Sequence, residues 1–233
     1  MRLSLPGVQS LTAGYADASG YLALKGLFTA HVTGNFVTLG SSLVFGTSGA
    51  LAKTLALPMF CAAVFLSKLL AFRLQSSGGR PFLSLLRLQA LLLTICAALA
   101  AGLGPFDNPD AWPGLALGML LVAAMAIQNA AHRVYLAQEP PSTIMTGSTT
   151  QIMLDLADMA HGLTTEMTAN TRARLKRLTA SVVVFATGCA LAALLYARLT
   201  EWCFCLLPLF GVATLTMRTE IAAVDSGAMQ RKS

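Results

Sequence analysis

The chain has 233 residues, of which 55% are hydrophobic and 11% are charged, and its formal net charge is +6. A soluble domain carries about 25% charged residues, so too few charged side chains are present to coat a soluble fold, and the excess apolar surface is expected to face lipid. The basic residues lie between apolar runs and form no contiguous stripe, which argues against nucleic-acid binding and indicates topology determinants.

Eight apolar segments follow one another along the chain, and a helix needs about 20 residues to cross a bilayer. Most are long enough, although the first is polar and the last is short. No cleavable signal peptide is expected, because the first ten residues hold one arginine and no compact apolar core. The segments are 8–24, 27–46, 51–74, 83–104, 113–133, 142–159, 177–199 and 202–217.

Two of these segments, 27–46 and 142–159, are interrupted by polar clusters. Thr33-Gly34-Asn35 interrupts the first, and Thr146-Gly147-Ser148-Thr149-Thr150 interrupts the second. Glycine and small hydroxyl residues are typical of positions where a helix breaks. Both segments are therefore predicted to be broken helices.

The charged loops predict the topology. Regions 73–87 and 172–177 are rich in arginine and belong in the cytoplasm, as does the tail with Arg218, Arg231 and Lys232, whereas the acidic loop 104–112 belongs outside. An odd number of crossings must then separate 104–112 from 172–177, so one of the two apolar segments between them is re-entrant. We predict six crossings, two re-entrant or discontinuous segments and cytoplasmic termini in a bacterial inner membrane. Eight full crossings remain the alternative.

The two halves of the chain, about 8–104 and 113–218, resemble each other. Ala13–Ala18 aligns with Met125–Ala130, and Thr29–Asn35 aligns with Ser142–Ser148. Each half reads as helix, broken helix, helix, helix within one transmembrane domain, 1–233. Three crossings per half give an inverted repeat, which is typical of secondary transporters, whereas four would give a parallel repeat. The predicted fold class is an all-α polytopic membrane helix bundle.

Polar residues at matching places in the two halves are the candidate site. A carboxylate such as Asp17 is costly in the bilayer unless it is paired, protonated or hydrated; it could bind a proton, a cation or a polar solute group, or make a helix–helix hydrogen bond. Its repeat mate is Asn129, an amide. The further candidates, each with a structural alternative, are His31, Thr33, Gly34, Asn35, Gln128, Thr146, Gly147 and Ser148.

The chain lacks the motifs of common enzyme classes. It has no Gly-rich phosphate loop, no H-E-x-x-H, no G-x-S-x-G and no paired Cys/His metal spacing. The five cysteines lie in apolar runs, and Cys203 with Cys205 is only a lone C-x-C. We expect no enzymatic activity, no cofactor and no metal.

At these motifs the chain resembles the YoaK family of bacterial membrane proteins, over nearly its whole length. The motifs read Gly14-Tyr15-Ala16-Asp17-Ala18, His31-Val32-Thr33-Gly34-Asn35, Ala126-Ile127-Gln128-Asn129-Ala130 and Thr143-Ile144-Met145-Thr146-Gly147. Ala126 is a departure, since the family tends to have glycine there. The resemblance implies a membrane protein and leaves the activity open.

The sequence favours a small secondary transporter or channel for a small polar solute or ion. The alternative is a non-transporting membrane protein that binds or stabilises a partner, with purely structural polar motifs. The lipid bilayer is the expected surrounding, and a homo-oligomer is compatible with the pattern.

Overall fold

The computed structural model describes residues 4–143, 145–162 and 165–230, and every regular element in this part of the chain is helical. Ile144 of the second motif, and Arg231 and Lys232 of the basic tail, lie outside the described residues. The helices are α1 Leu5–Ala23, α2 Asn35–Phe45, α3 Ala50–Ser76, α4 Pro81–Leu103, α5 Trp112–Tyr135, α6 Met145–His161, α7 Thr165–Leu199, α8 Leu207–Thr216 and α9 Arg218–Gln230, with 3₁₀ turns at Val32–Gly34 and Thr200–Leu206.

Apolar helices long enough to cross a bilayer are present, as the composition predicted. In the described residues α3, α4 and α5 qualify by length and hydropathy, and so does the apolar stretch Ala169–Thr216. At 1.5 Å per residue that stretch would be roughly 70 Å long, about twice the thickness of a membrane. It is therefore too long for a single crossing.

The stretch folds back at Thr200, whose φ of 48° lies in the left-handed region. On one side of this turn, Ser181 of α7 bonds to Ser10 of α1 over 3.0 Å. On the other side, the chain runs antiparallel to α1. The Tyr15 hydroxyl donates to the Cys203 carbonyl over 2.7 Å, and Gln9 Nε2, nearer the start of α1, donates to Thr214 Oγ1 over 3.2 Å. The chain from 169 to 216 is thus a helical hairpin around α1.

Two glycines bring α1 and α7 into close contact. A Cβ on Gly14 would lie 2.1 Å from the Phe185 carbonyl oxygen, and one on Gly188 would lie 2.4 Å from the Leu11 carbonyl oxygen. No larger residue fits at either place without separating the helices. Small residues at membrane helix interfaces commonly permit such close approach of two backbones.

The chain folds back on itself after α1. Lys25 and Gly26 have positive φ, and Lys25 donates to the Asp107 carbonyl in the loop between α4 and α5. The chain then returns along α1, turns through Val32–Gly34 and runs out again as α2. At the far end of α2, Ser42 Oγ accepts from the Lys53 ammonium of α3 over 2.6 Å. The Lys53 side chain also lies close to Gly26. Segment 24–46, the first fold-back, therefore begins and ends at the same end of the bundle.

A second fold-back follows α5. The chain after Tyr135 contains Pro140 and Pro141, returns along α5 to Ser142 and Thr143, and enters α6 at Met145. The predicted break within 146–150 is wrong, because these residues form the first turns of α6 and the break precedes them. The helix accommodates this cluster, since Thr149 and Thr150 donate to the carbonyls of Met145 and Thr146 four residues earlier.

The C-terminal helix α9 caps two other helices. Glu220 accepts from the Leu5 amide at the start of α1 over 3.0 Å. Asp225 accepts from the amides of Phe82 and Leu83 at the start of α4, over 2.9 and 3.3 Å. These amides have no partner within their own helices, so α9 satisfies them and holds both ends of the described chain at one end of the bundle.

Candidate functional site

Asp17 lies in α1 and contacts the non-helical part of the first fold-back, and its side chain is buried. Its Oδ1 accepts from the backbone amides of Thr29 and Ala30 over 2.7 and 2.8 Å, and more weakly from the His31 amide over 3.4 Å. A carboxyl oxygen accepts hydrogen bonds, so Asp17 satisfies these N–H groups. Asp17 therefore supplies the partners that a non-helical backbone needs in a lipid environment.

The other oxygen of this carboxylate holds His31. Asp17 Oδ2 and His31 Nδ1 are 2.7 Å apart. With Nδ1 bonded to the carboxylate, Nε2 is the nitrogen left for other partners, and it makes no hydrogen bond to the described residues. The His31 side chain is 34% exposed whereas that of Asp17 is 6% exposed. The imidazole is thus the accessible member of the pair, and the carboxylate fixes its orientation.

The pair borders a cavity of about 700 Å³ that is open on one side. The cavity lies between α1, α7 and the first fold-back. Its walls are largely apolar and aromatic, and the polar groups are concentrated around Asp17 and His31. The lining residues are Asp17, Ala18, Tyr21, Leu22, Phe28, His31, Thr33, Gly34, Phe185, Cys189 and Ala193.

The Thr33-Gly34-Asn35 cluster positions one wall of this cavity. Asn35 is buried, and its amide accepts from the Phe28 N–H and donates to the Phe28 carbonyl, each over 2.8 Å. A Cβ on Gly34 would lie 2.9 Å from the Phe28 ring. Asn35 therefore fixes the backbone of Phe28, and Gly34 leaves room for its ring, while Thr33 lines the cavity directly.

The candidates in the second half do not line this cavity. Gln128 is buried; it donates to Ser142 Oγ and the Gln9 carbonyl over 2.9 Å and accepts from Gln89 over 2.7 Å. Asn129 donates to Thr143 Oγ1 over 2.8 Å. These side chains hold the second fold-back as Asp17 holds the first.

The second polar cluster is placed differently from the first. Thr146 and Gly147 are exposed at the start of α6, and Ser148 is buried. Among the described residues, Thr146, Gly147 and Ser148 do not line the Asp17–His31 cavity, and Asn129 bonds to Thr143. The polar residues of the first half thus border a cavity, whereas Gln128 and Asn129 of the second half bond to side-chain hydroxyls of the second fold-back.

The aromatic residues that line the cavity were not predicted from the sequence. The cavity is lined by the aromatic residues Tyr21, Phe28 and Phe185, and by Cys189 on the same helix as Phe185. In an apolar segment, these residues look like ordinary lipid-facing or core side chains. Gln9 and Gln89 were also missed, although a glutamine inside an apolar run is a signal that sequence reasoning can use. Within the described residues no group of three His, Cys, Asp or Glu side chains could hold a metal ion.

Comparisons with known proteins agree with the membrane character of the chain. A family described as a protein of unknown function, DUF1275, matches residues 7–217. The chain is also 28% identical over 158 residues to the UPF0700 transmembrane protein YoaK of Bacillus subtilis (strain 168), covering 67% of this chain and 68% of that protein. No solved structure matches. The resemblance seen in the sequence is confirmed, and the chain belongs to the DUF1275 family of YoaK-like transmembrane proteins.

Proposed function

We propose that this protein is a small secondary transporter or channel for a small polar solute or ion, and that the Asp17–His31 cavity is its binding site. The observation that carries the proposal is a buried carboxylate whose histidine partner faces an open cavity of about 700 Å³. An ionisable residue within a membrane bundle that faces a cavity commonly marks a substrate or ion pathway. A purely structural carboxylate needs no such cavity.

The proposed topology has six crossings, by α1, α3, α4, α5, α7 and the Thr200–Thr216 arm, with both termini in the cytoplasm of a bacterial cell. The two fold-backs are re-entrant from opposite sides of the inner membrane. Their hydrogen bonds support this repeat, because Asp17 and Asn129 each reach a residue fourteen positions further on, His31 and Thr143. Helix packing supports it too, since α1 packs on α7 and α5 packs on α3.

Inverted repeats with discontinuous segments often carry transport sites where the chain is non-helical. In this protein the first fold-back places a buried carboxylate and an accessible imidazole at one end of a cavity. The second fold-back is held by neutral amides and hydroxyls. We infer that the first fold-back binds the solute and that the second serves mainly as its structural counterpart.

Transport is tested by flux into proteoliposomes against a panel of cations, anions and neutral solutes. We expect Asp17→Asn to abolish flux of the transported solute, with the rate normalised to folded protein. Asp225→Asn is the matched control, because it makes the same chemical change at a buried carboxylate that caps α4 away from the cavity. Absence of flux for every solute, or equal normalised rates in the two variants, would contradict the proposal.

The topology is tested by labelling single cysteines introduced in a background without native cysteines. We expect a cysteine at Ser48 to react from outside and cysteines at Gln138 and Arg174 to react from inside. Arg174 decides between the models, because eight full crossings place it outside.

One observation favours the second candidate, a protein that binds or stabilises a partner. The outer face of α2 carries apolar side chains that are 60–78% exposed, namely Phe36, Val37, Leu43, Val44 and Phe45. A partner, including a second copy of the chain, could cover this face. In that case Asn35→Ala would lower thermal stability without changing the affinity for any solute.

A further inference from the structure

The cavity has a continuous aromatic wall. The ring centroids of Tyr21 and Phe28 are 4.9 Å apart, those of Phe28 and His31 are 6.4 Å apart, and those of His31 and Phe185 are 5.4 Å apart. All four rings line the cavity. They come from α1, the first fold-back and α7, so the tertiary fold, and not a local sequence pattern, assembles this wall.

The described lining of this site holds one carboxylate and no lysine or arginine to balance it. Its titratable lining groups are Asp17 and Tyr21 on α1, His31 on the fold-back and Cys189 on α7, and no lysine or arginine is among the described residues that line it. With a neutral imidazole the Asp17–His31 pair carries one negative charge. With a protonated imidazole the pair is neutral overall.

We propose that the cavity binds a small organic cation with an apolar body, such as a substituted ammonium, and that a proton on His31 competes with this cation. The inference rests on the proposed function for the location of the site, and it adds the class of solute. Aromatic faces attract cations, and cages of such rings are a common means of recognising substituted ammonium groups. The carboxylate supplies the counter-charge, and the apolar wall accommodates the body of the ligand.

Other classes of ligand fit less well. An anion meets a carboxylate with no lysine or arginine beside it in the described lining. A neutral apolar solute would contact the rings but would make no use of the accessible His31 imidazole beside the carboxylate. A small hydrated metal ion would lose water to a wall that offers few oxygen ligands.

Competition between proton and cation follows from their shared counter-charge. A bound cation favours the neutral imidazole, and by thermodynamic linkage a proton on the imidazole weakens cation binding by the same factor. An imidazole ordinarily titrates at about pH 6.5, so the effect falls in an accessible range. Such competition would let an inward proton exchange for an outward cation at one site.

Binding is measured on the full-length protein in detergent by calorimetry with three probes of similar shape. Choline is the cation, 3,3-dimethyl-1-butanol is its neutral isostere, and 3,3-dimethylbutanoate is the anion. We expect choline to bind at least about tenfold more tightly than the isostere at pH 8, and the butanoate to bind more weakly still. The choline affinity should fall by up to about tenfold per pH unit below the titration of His31.

Variants separate the contribution of the aromatic rings to choline binding from that of the proton on His31. His31→Gln should retain choline binding at pH 8 within a few-fold and lose its pH dependence. Phe28→Leu and Phe185→Leu should each weaken choline more than the isostere, and two variants are used in case one fails to fold. Phe36→Leu is the control, because this phenylalanine is 60% exposed on α2 and lies outside the cavity.

The inference is overturned if the isostere binds as tightly as choline, or if His31→Gln keeps the pH profile of the parent protein. It also fails, with the proposed function intact, if no probe binds while Asp17-dependent flux of another solute is observed. If choline binds as described and no solute crosses the membrane, the site stands and transport is refuted.

Discussion

Replacing Asn35 by alanine is the most informative single change in the first fold-back. The Asn35 amide makes two hydrogen bonds of 2.8 Å to the backbone of Phe28, and its side chain is 2% exposed. The Phe28 N–H and carbonyl have no other hydrogen-bond partner among the described residues. An unpaired buried polar group costs about 1–3 kcal/mol, so losing both bonds should cost about 2–5 kcal/mol.

Thermal unfolding of the purified protein in detergent measures this loss. About 1 kcal/mol shifts the Tm of a chain of this size by about 2–4 °C, so we expect Asn35→Ala to lower it by roughly 5–15 °C. Asn108→Ala is the control, because Asn108 is exposed and its side-chain Oδ1 accepts from the Asp110 amide at the surface. If the two variants shift the Tm equally, Asn35 does not hold the fold-back and our reasoning about the motif is refuted.

Two further changes follow from close contacts at glycines. Gly34→Ala should displace the Phe28 ring, because the edge of this ring would lie 2.9 Å from the new Cβ. Choline binding should therefore weaken, with little change in Tm. Gly40→Ala is the control: its Cβ would have nothing within 4 Å, so choline binding should stay unchanged in the same titration. Gly14→Ala should separate α1 from α7 and cost about 1–3 kcal/mol, because its Cβ meets backbone at 2.1 Å. Gly102→Ala has open space and should unfold at the parental temperature, so an equal Tm for Gly14→Ala and Gly102→Ala would contradict the packing.

Much of the architecture follows from hydropathy and charge. Low charge and long apolar runs predicted helices that can span a membrane, and the structure confirms such helices and an all-helical fold in the described part of the chain. The loop charges and the repeat predicted that 27–46 and 142–159 differ from simple spans. The exact place of the second break was less accessible, because the chain is interrupted around Pro140-Pro141, before the polar cluster, whereas the first fold-back does turn through Val32–Gly34.

The site was predictable in its polar part only. Asp17 and His31 stood out because ionisable groups are rare in apolar segments, but their contact over 2.7 Å was not predicted, since Asp17 was matched with Asn129. Phe28 and Phe185 did not stand out, since they are distant in sequence and resemble their neighbours chemically. Their meeting at His31 depends on the close α1–α7 contact, which no local pattern reveals.

The structure also shows why a carboxylate in this chain is an ambiguous signal. Asp110 accepts from the amides of Gly49 and Ala52 at the start of α3, and Asp225 does the same for α4. Asp17 shares this role, because its Oδ1 accepts from the amides of the fold-back. What distinguishes Asp17 is its second oxygen, which holds a histidine that faces a cavity.

The measurement that tests the account most directly is the reactivity of Cys189, which lines the cavity from α7. The other four cysteines are replaced, and Cys189 is treated in proteoliposomes with a small charged, membrane-impermeant thiol reagent, with and without choline. We expect Cys189 to react from the aqueous phase and choline to slow the reaction. Modification only by lipid-soluble reagents, at a rate that choline does not change, would show that the cavity faces lipid and is no solute site.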